Sequence, residues 1–105
     1  MNIPEKIRIS GVDYAVEITT DPVLIDGRQC YGSIEYASHK ILLDETLGDH
    51  AHQCCTLLHE IFHAIVHDRM IDLGENADEE TIVEAFARGV YQLLADNPDL
   101  MKRGK

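Results

Sequence analysis

The hydrophobic pattern of this 105-residue chain changes its period once, near Asp49. Before that point, short segments alternate apolar and polar residues, which is typical of half-buried β-strands. After it, apolar residues recur every three or four positions, as on an α-helix that packs along one face. The change predicts an α+β domain in which a small sheet precedes the helices. A chain of this length has room for one core.

Four strands are predicted in the front half, at residues 6–9, 12–18, 31–36 and 40–44. The first two flank Ser10-Gly11, which is a hairpin pattern. Asp21-Pro22 and Asp26-Gly27 lie between the two pairs, and because both are turn-forming the segment is expected to be a loop. We therefore expect a small, largely antiparallel sheet of about four strands.

Two helices are predicted in the back half. The first runs from about residue 49 to about residue 73, where Gly74 supplies a stop. Asn76 precedes Glu79 by three residues and is expected to cap the second, which ends near Asn97-Pro98. The predicted apolar face of the first helix consists of Cys54, Leu57, Leu58, Ile61, Phe62, Ile65 and Val66. The predicted buried side of the second consists of Ile82, Val83, Phe86, Val90, Leu93 and Leu94.

The first predicted helix contains an H-E-x-x-H motif at residues 59–63. Residues four apart on a helix lie one above the other, so His59 and His63 can point their imidazoles at one divalent ion. Glu60 is then beside the ion and can take a proton from a metal-bound water. Four of the six histidines of the chain fall on this polar side, which in an ordinary amphipathic helix would hold Lys, Glu and Gln. The motif therefore favours a catalytic metal site.

A catalytic zinc ion takes three protein ligands and leaves a fourth position for water, so one ligand remains to be found. The second helix offers Glu79, Glu80 and Glu84, within a stretch from 71 to 87 that has six carboxylates and no Lys or Arg. The helix dipole explains Glu79 and Glu80 at the helix start but explains Glu84 poorly. His67 is a competing ligand, although a rigid helix can hardly aim three residues at one ion. The residues by themselves leave Glu84, Glu80 and His67 open as the third ligand.

Residues 56–65, Thr-Leu-Leu-His-Glu-Ile-Phe-His-Ala-Ile, and the later segment Glu84-Ala85-Phe86-Ala87 resemble small zincin domains of the ImmA/IrrE family, many of them encoded by phages and mobile elements. The strands at 32–36 and 41–44 are similar to the pair that precedes the active-site helix in that family. The resemblance implies one minimal zincin-like domain over residues 1–105, acting as a zinc metallo-endopeptidase. It implies one Zn²⁺ per chain, bound by His59, His63 and Glu84, with Glu60 as general base.

Several features of the expected enzyme stay open. Tyr36, His67 and Tyr91 are candidate donors to the developing oxyanion. Zincins commonly bind substrate as an added strand, and the edge here is either 34–36 or 41–44. The alternative function is a non-catalytic, zinc-bearing protein-interaction module. Glu60 argues against it, because a structural site needs no glutamate beside its histidine.

Charge and cysteine content limit which partners and which cellular compartment the sequence predicts. A formal charge of -10 repels phosphate backbones and argues against nucleic acid, and the basic residues at 102, 103 and 105 are expected to form a solvated tail. The chain has no run of ~20 apolar residues and no secretion signal, so no membrane partner is expected. Three cysteines, two of them adjacent, indicate reduced thiols. We expect a cytoplasmic protein that acts on a peptide or protein substrate.

Overall fold

The computed structural model describes residues 1–100, and the predicted basic tail lies outside them. Within this range the α+β class is confirmed, with one mixed four-stranded sheet, one small hairpin and two α-helices. The strands are β1 Lys6–Ile9, β2 Val12–Thr19, β3 Val23–Ile25, β4 Arg28–Cys30, β5 Gly32–Glu35 and β6 Lys40–Asp44; a 3₁₀ turn covers Glu45–Leu47, and the helices are α1 His50–Asp68 and α2 Glu79–Asp96.

The four-stranded sheet has the order β1-β2-β6-β5. β1 and β2 form the predicted hairpin, and β5 pairs antiparallel with β6. β2 and β6 pair in parallel, with Val16 opposite Ile41, so the largely antiparallel sheet that was expected is a mixed one. The chain between them is long enough to return in the same direction, which a parallel pair requires. β5 forms one edge of the sheet, whereas β6 lies inside it.

The segment predicted as a loop contains the two-stranded sheet of β3 and β4. Its turn is Asp26-Gly27, where both residues have positive φ, at 51° and 78°. Each strand has three residues, and an alternation of apolar and polar residues cannot be recognised over so short a stretch. The hairpin is attached to the sheet by the buried side chain of Val23 and by a 3.2 Å hydrogen bond from Gln29 Nε2 to Asp44 Oδ2.

The main core lies between one face of the sheet and α1. Ile41 and Leu43 have no exposed surface, because β6 is covered by strands on both sides and by the helix. The other buried members of this cluster are Ile9, Tyr14, Val16, Leu57 and Ala64. On α1, Cys54, Leu57 and Leu58 are buried as predicted. The three cysteines are free thiols.

α1 ends five residues before the predicted position. Met70 has a φ of 51°, the left-handed conformation that usually requires glycine. The N–H groups of Met70 and Ile71 bond to the carbonyl oxygens of His67 and Val66, which is the hydrogen-bond pattern of a Schellman cap. The stop expected at Gly74 is therefore wrong, because a methionine occupies the position where the helix turns.

α2 is capped by Asp78, whose side chain accepts from the N–H groups of Glu80 and Thr81, so the predicted cap at Asn76 is wrong. Val83 and Ala87 are the buried residues of this helix. Phe86 and Leu93, predicted to be buried, are 61% and 49% exposed. The helix packs mainly against α1, and the described residues leave its far side open to solvent. Neither helix in residues 1–100 is long and apolar enough to cross a membrane.

Candidate metal centre

The centre is built on the two histidines of the H-E-x-x-H motif. α1 carries His59 and His63 one turn apart, and their Nε2 atoms are 3.1 Å from each other. The ring centroids are 4.7 Å apart, and the side chains are 14% and 16% exposed. The two imidazoles thus converge on one point beside α1, as their spacing predicts.

A carboxylate from α2 completes the group. The two oxygens of Glu80 lie 2.6 Å from Nε2 of His59 and 2.8 Å from Nε2 of His63. Glu80 is in the first turn of α2, where the Asp78 cap fixes the start of the helix beside α1. His59, His63 and Glu80 offer ligand atoms that all lie within 4.8 Å of one another, so this group could hold a metal ion.

The other ring nitrogens face two further glutamates. Oε1 of Glu84 is 2.9 Å from Nδ1 of His59, and Oε2 of Glu79 is 2.7 Å from Nδ1 of His63. Arg88 donates from Nε to the second oxygen of Glu84 at 3.1 Å. The ligand role expected for Glu84 stays a prediction.

The nitrogens of the two imidazoles that lack a proton face a point that suits a cation. A neutral imidazole carries one N–H, and the glutamates beside the two Nδ1 atoms place it there. Both Nε2 atoms then present lone pairs to each other and to the carboxylate of Glu80. Three such groups repel one another unless a proton or a metal ion lies between them. The donor set therefore fits a divalent cation at this point.

The charges around the histidines shift two pKa values. Burial works to lower the pKa of His63, but its hydrogen bond with Glu79 and the charges of Glu80 and Glu60 outweigh it, so the pKa is raised. Burial works to raise the pKa of Glu84, but its hydrogen bonds with His59 and Arg88 hold the pKa below its ordinary value.

Glu60 is buried beside the centre, with 7% of its surface exposed. Burial raises the pKa of its carboxyl, although the neighbouring His59 and His63 work to lower it. The sequence predicts its position on the polar side of α1 but not its burial. The burial arises because α2 and the strands cover that side of the helix. The general-base role of Glu60 stays a prediction.

A cleft of about 490 Å³ opens onto His59, His63 and Glu80, which together are called the metal group below. One wall is the edge strand β5 with Gly32, Ser33 and Ile34, and the β3–β4 hairpin adds Ile25 and Gln29. α1 and α2 form the opposite side, where Glu60 and the metal group lie. Of the two strands considered for substrate binding, only β5 is a sheet edge, because β6 is paired on both sides.

His67 and Tyr36 contact each other. Their rings are stacked with centroids 4.0 Å apart and planes at 15°. Burial, followed by the charge of Glu79, raises the pKa of Tyr36 to about 12, so its hydroxyl remains a hydrogen-bond donor at neutral pH. His67, weighed as a third ligand, lies against this ring and is outside the group of residues that could hold the ion.

Arg88 is the member of the site that sequence reasoning missed. Its position four residues after Glu84 is an i,i+4 charge pair, and that signal was available in the sequence. Comparison with protein-family models, with curated proteins and with solved structures found no match to this chain. The likeness to ImmA/IrrE zincins thus depends on the motif residues alone.

Proposed function

We propose that this protein is a zinc-dependent metallo-endopeptidase, with His59, His63 and Glu80 as zinc ligands and Glu60 as general base. The observation that carries the proposal is the pair of Nε2 atoms, 3.1 Å apart, with one oxygen of Glu80 on each. A buried glutamate and an open cleft adjoin this group. His59, His63 and Glu60 have the roles that the resemblance to ImmA/IrrE zincins implies, whereas that resemblance implies Glu84, not Glu80, as third ligand.

The spacing of the ligand atoms suits zinc. Tetrahedral zinc with bonds of about 2.0–2.1 Å to nitrogen separates two nitrogens by roughly 3.3 Å, close to the 3.1 Å between the Nε2 atoms. The oxygens of Glu80 are 2.6 and 2.8 Å from the two Nε2 atoms, so the carboxylate would withdraw by about 0.5–0.7 Å to reach the same separation. We prefer Glu80 to Glu84 as third ligand because its carboxylate faces both Nε2 atoms.

The protein's own residues account for the rest of the reaction. When bound, zinc would act as a Lewis acid and would lower the pKa of its water to about 7. Glu60, next to His59 in sequence, takes a proton from the attacking water and delivers it to the leaving amine. Its burial raises its pKa toward the range in which a general base works well.

The edge strand β5 supports an extended peptide or protein segment as substrate. Its outer edge is not paired with another strand of the four-stranded sheet, and it forms one wall of the cleft. A peptide added there as a further strand would make main-chain hydrogen bonds and run beside His59 and Glu60.

The alternative, a non-catalytic zinc-bearing interaction module, has less support. A structural zinc site usually closes its shell with a fourth protein ligand, whereas the group found within residues 1–100 has three members and faces a cleft. Burying the carboxylate of Glu60 also costs stability, and a purely structural zinc site has no use for that group.

Metal content tests the site. Elemental mass spectrometry would be run on wild type, Glu80→Ala and Glu84→Ala, purified without added metal or a histidine tag. We expect about one zinc per wild-type chain and almost none in Glu80→Ala. A wild-type protein without metal would overturn the proposal. Zinc retained in Glu80→Ala but lost in Glu84→Ala would transfer the ligand role to Glu84.

Hydrolysis tests the chemistry. Zinc-loaded wild type and Glu60→Gln would be incubated with an unfolded protein and a peptide library, with products read by mass spectrometry. Loss of the general base should slow cleavage by about 10²–10⁴-fold while zinc content stays the same. Equal cleavage by both proteins would show that Glu60 is not the base.

A further inference from the structure

We propose that Glu84 is a positioning residue that fixes the tautomer and orientation of His59, and that Arg88 holds Glu84 in place. This inference rests on the proposed function, because it concerns the nitrogen that His59 offers to zinc. It gives Glu84 a role different from the ligand role expected from the sequence.

The two nitrogens of His59 face different groups. Nε2 faces the metal group, 3.1 Å from Nε2 of His63 and 2.6 Å from Glu80. Nδ1 faces the carboxylate of Glu84 at 2.9 Å. A neutral imidazole can bind a metal through Nε2 only if its proton is on Nδ1. A carboxylate that accepts from Nδ1–H selects that tautomer and makes the ring a better ligand.

Glu84 is held at both oxygens of its carboxylate. One oxygen contacts His59, and the other accepts from Nε of Arg88 at 3.1 Å, one turn later on α2. Because both oxygens are engaged, the carboxylate cannot rotate without losing a hydrogen bond. The side chains of Glu84 and Arg88 are 43% and 58% exposed, so the salt bridge itself adds little stability. Its effect is therefore expected on the geometry of His59.

The two histidines each have a glutamate beside Nδ1. Glu79 contacts Nδ1 of His63 at 2.7 Å in the corresponding way. In the described part of the chain, however, no Lys or Arg forms an ion pair with Glu79 as Arg88 does with Glu84. The contact between Glu84 and His59 is thus the one for which the fold provides a separate holding residue.

Zinc affinity is the first readout, measured by competition with a chromophoric chelator. Glu84→Ala should weaken zinc binding about 10–100-fold, which is typical for loss of such a partner. Glu84→Gln should recover most of the affinity, because its amide oxygen still accepts from Nδ1–H. Arg88→Gln should cost about twofold, the size of an exposed i,i+4 pair. Glu75→Gln, an exposed site that removes the same charge, should bind as wild type.

The exchange rate of the Nδ1 proton of His59 is the second readout, and a merely structural role of Glu84 would not change it. Long-range ¹H–¹⁵N spectra of the zinc-saturated protein report which nitrogen of His59 carries the proton. We expect a slowly exchanging Nδ1 proton in wild type and Glu84→Gln, and fast exchange of that proton in Glu84→Ala. Melting temperatures of the metal-free variants separate this effect from unfolding.

The outcomes separate the two proposals. A wild type that binds no zinc would defeat the proposed function. Zinc binding and an unchanged Nδ1 proton in Glu84→Ala would overturn the positioning role while leaving the metal site intact. Loss of zinc in both Glu84→Ala and Glu84→Gln, with full zinc in Glu80→Ala, would make Glu84 a ligand and also overturn it.

Discussion

Glu60 is a glutamate that the fold buries beside the two histidines of the metal group. Only 7% of its surface is exposed, and burial raises its pKa although two histidines lie nearby. Such a group is destabilising when it is ionised in the metal-free protein. Retaining it at this position is understandable if its proton affinity serves a reaction, as functional sites often sacrifice stability.

This burial predicts how stability depends on pH. The folded metal-free protein binds the Glu60 proton more tightly than the unfolded chain, whose glutamate titrates near 4.5. Stability is therefore lost as pH rises above that value and Glu60 ionises. Glu60→Gln cannot ionise, so it should be more stable than wild type at pH 8 and equal to it near pH 4. Urea unfolding in the presence of a chelator measures the free energy of unfolding of both proteins between pH 4 and pH 8. A difference between them that is the same at every pH would contradict the prediction.

The convergence of the two histidines could be predicted from the sequence, and the carboxylate that lies nearest to both Nε2 atoms could not, for a definite reason. His59 and His63 belong to one helix, whose geometry sets their separation regardless of the rest of the fold. Glu80 and Glu84 are also one turn apart, so the choice between them depends on how far α2 is shifted along α1. That shift depends on the packing of Val83 and Ala87, and the periodic pattern places both glutamates equally well.

At the scale of elements, the contact between α1 and β5 determines the shape of the cleft. Gly32 in β5 is buried where the helix crosses it. A Cβ at this position would lie 2.6 Å from Cγ2 of Thr56 and 2.8 Å from the carbonyl oxygen of Leu42. The backbone oxygen cannot move aside without disturbing the β5–β6 pairing. A glycine is therefore needed to bring the edge strand close to the metal group.

Gly32→Ala should consequently destabilise the protein by about 1–3 kcal/mol, as overpacking of a core does. Gly89→Ala is the matched control, because that glycine lies within α2 and its added Cβ would meet nothing within 4 Å. Alanine there should stabilise by about 0.5–1 kcal/mol through its higher helix propensity. Thermal melts would show opposite shifts, and equal stability of Gly32→Ala and wild type would mean that the helix is not fixed at this crossing.

Where the elements departed from expectation, local signals were overridden by longer-range ones. The left-handed Met70 ends α1 through backbone bonds to His67 and Val66, although glycine is the residue that usually predicts such a cap. Phe86 follows the apolar period of α2 yet is exposed, because the helix has a packing partner on one side only. Periodicity reveals that a face is apolar, and the tertiary structure decides whether anything covers it.

At the scale of the whole molecule, one region concentrates the negative charge of the chain. The formal charge is -10, and four glutamates surround the two histidines of the metal group, with Arg88 as the cationic side chain paired there. The parallel pairing of β2 with β6 was not predictable, because strands so far apart in sequence carry no local signal of direction. It places β5 at the edge, beside this acidic region.

The metal group also joins the only two α-helices found in residues 1–100, so ion binding should stabilise the whole fold. Zinc at a free concentration 100-fold above its dissociation constant would add about 2.7 kcal/mol, which for a domain of this size raises the melting temperature by about 10–20 °C. A chelator should reverse the shift. Mg²⁺, which prefers oxygen ligands in octahedral geometry, should give almost none. If zinc left the melting temperature of the wild type unchanged, the ion would not bridge α1 and α2. The same would follow if zinc raised the melting temperature of Glu80→Gln as much as that of the wild type.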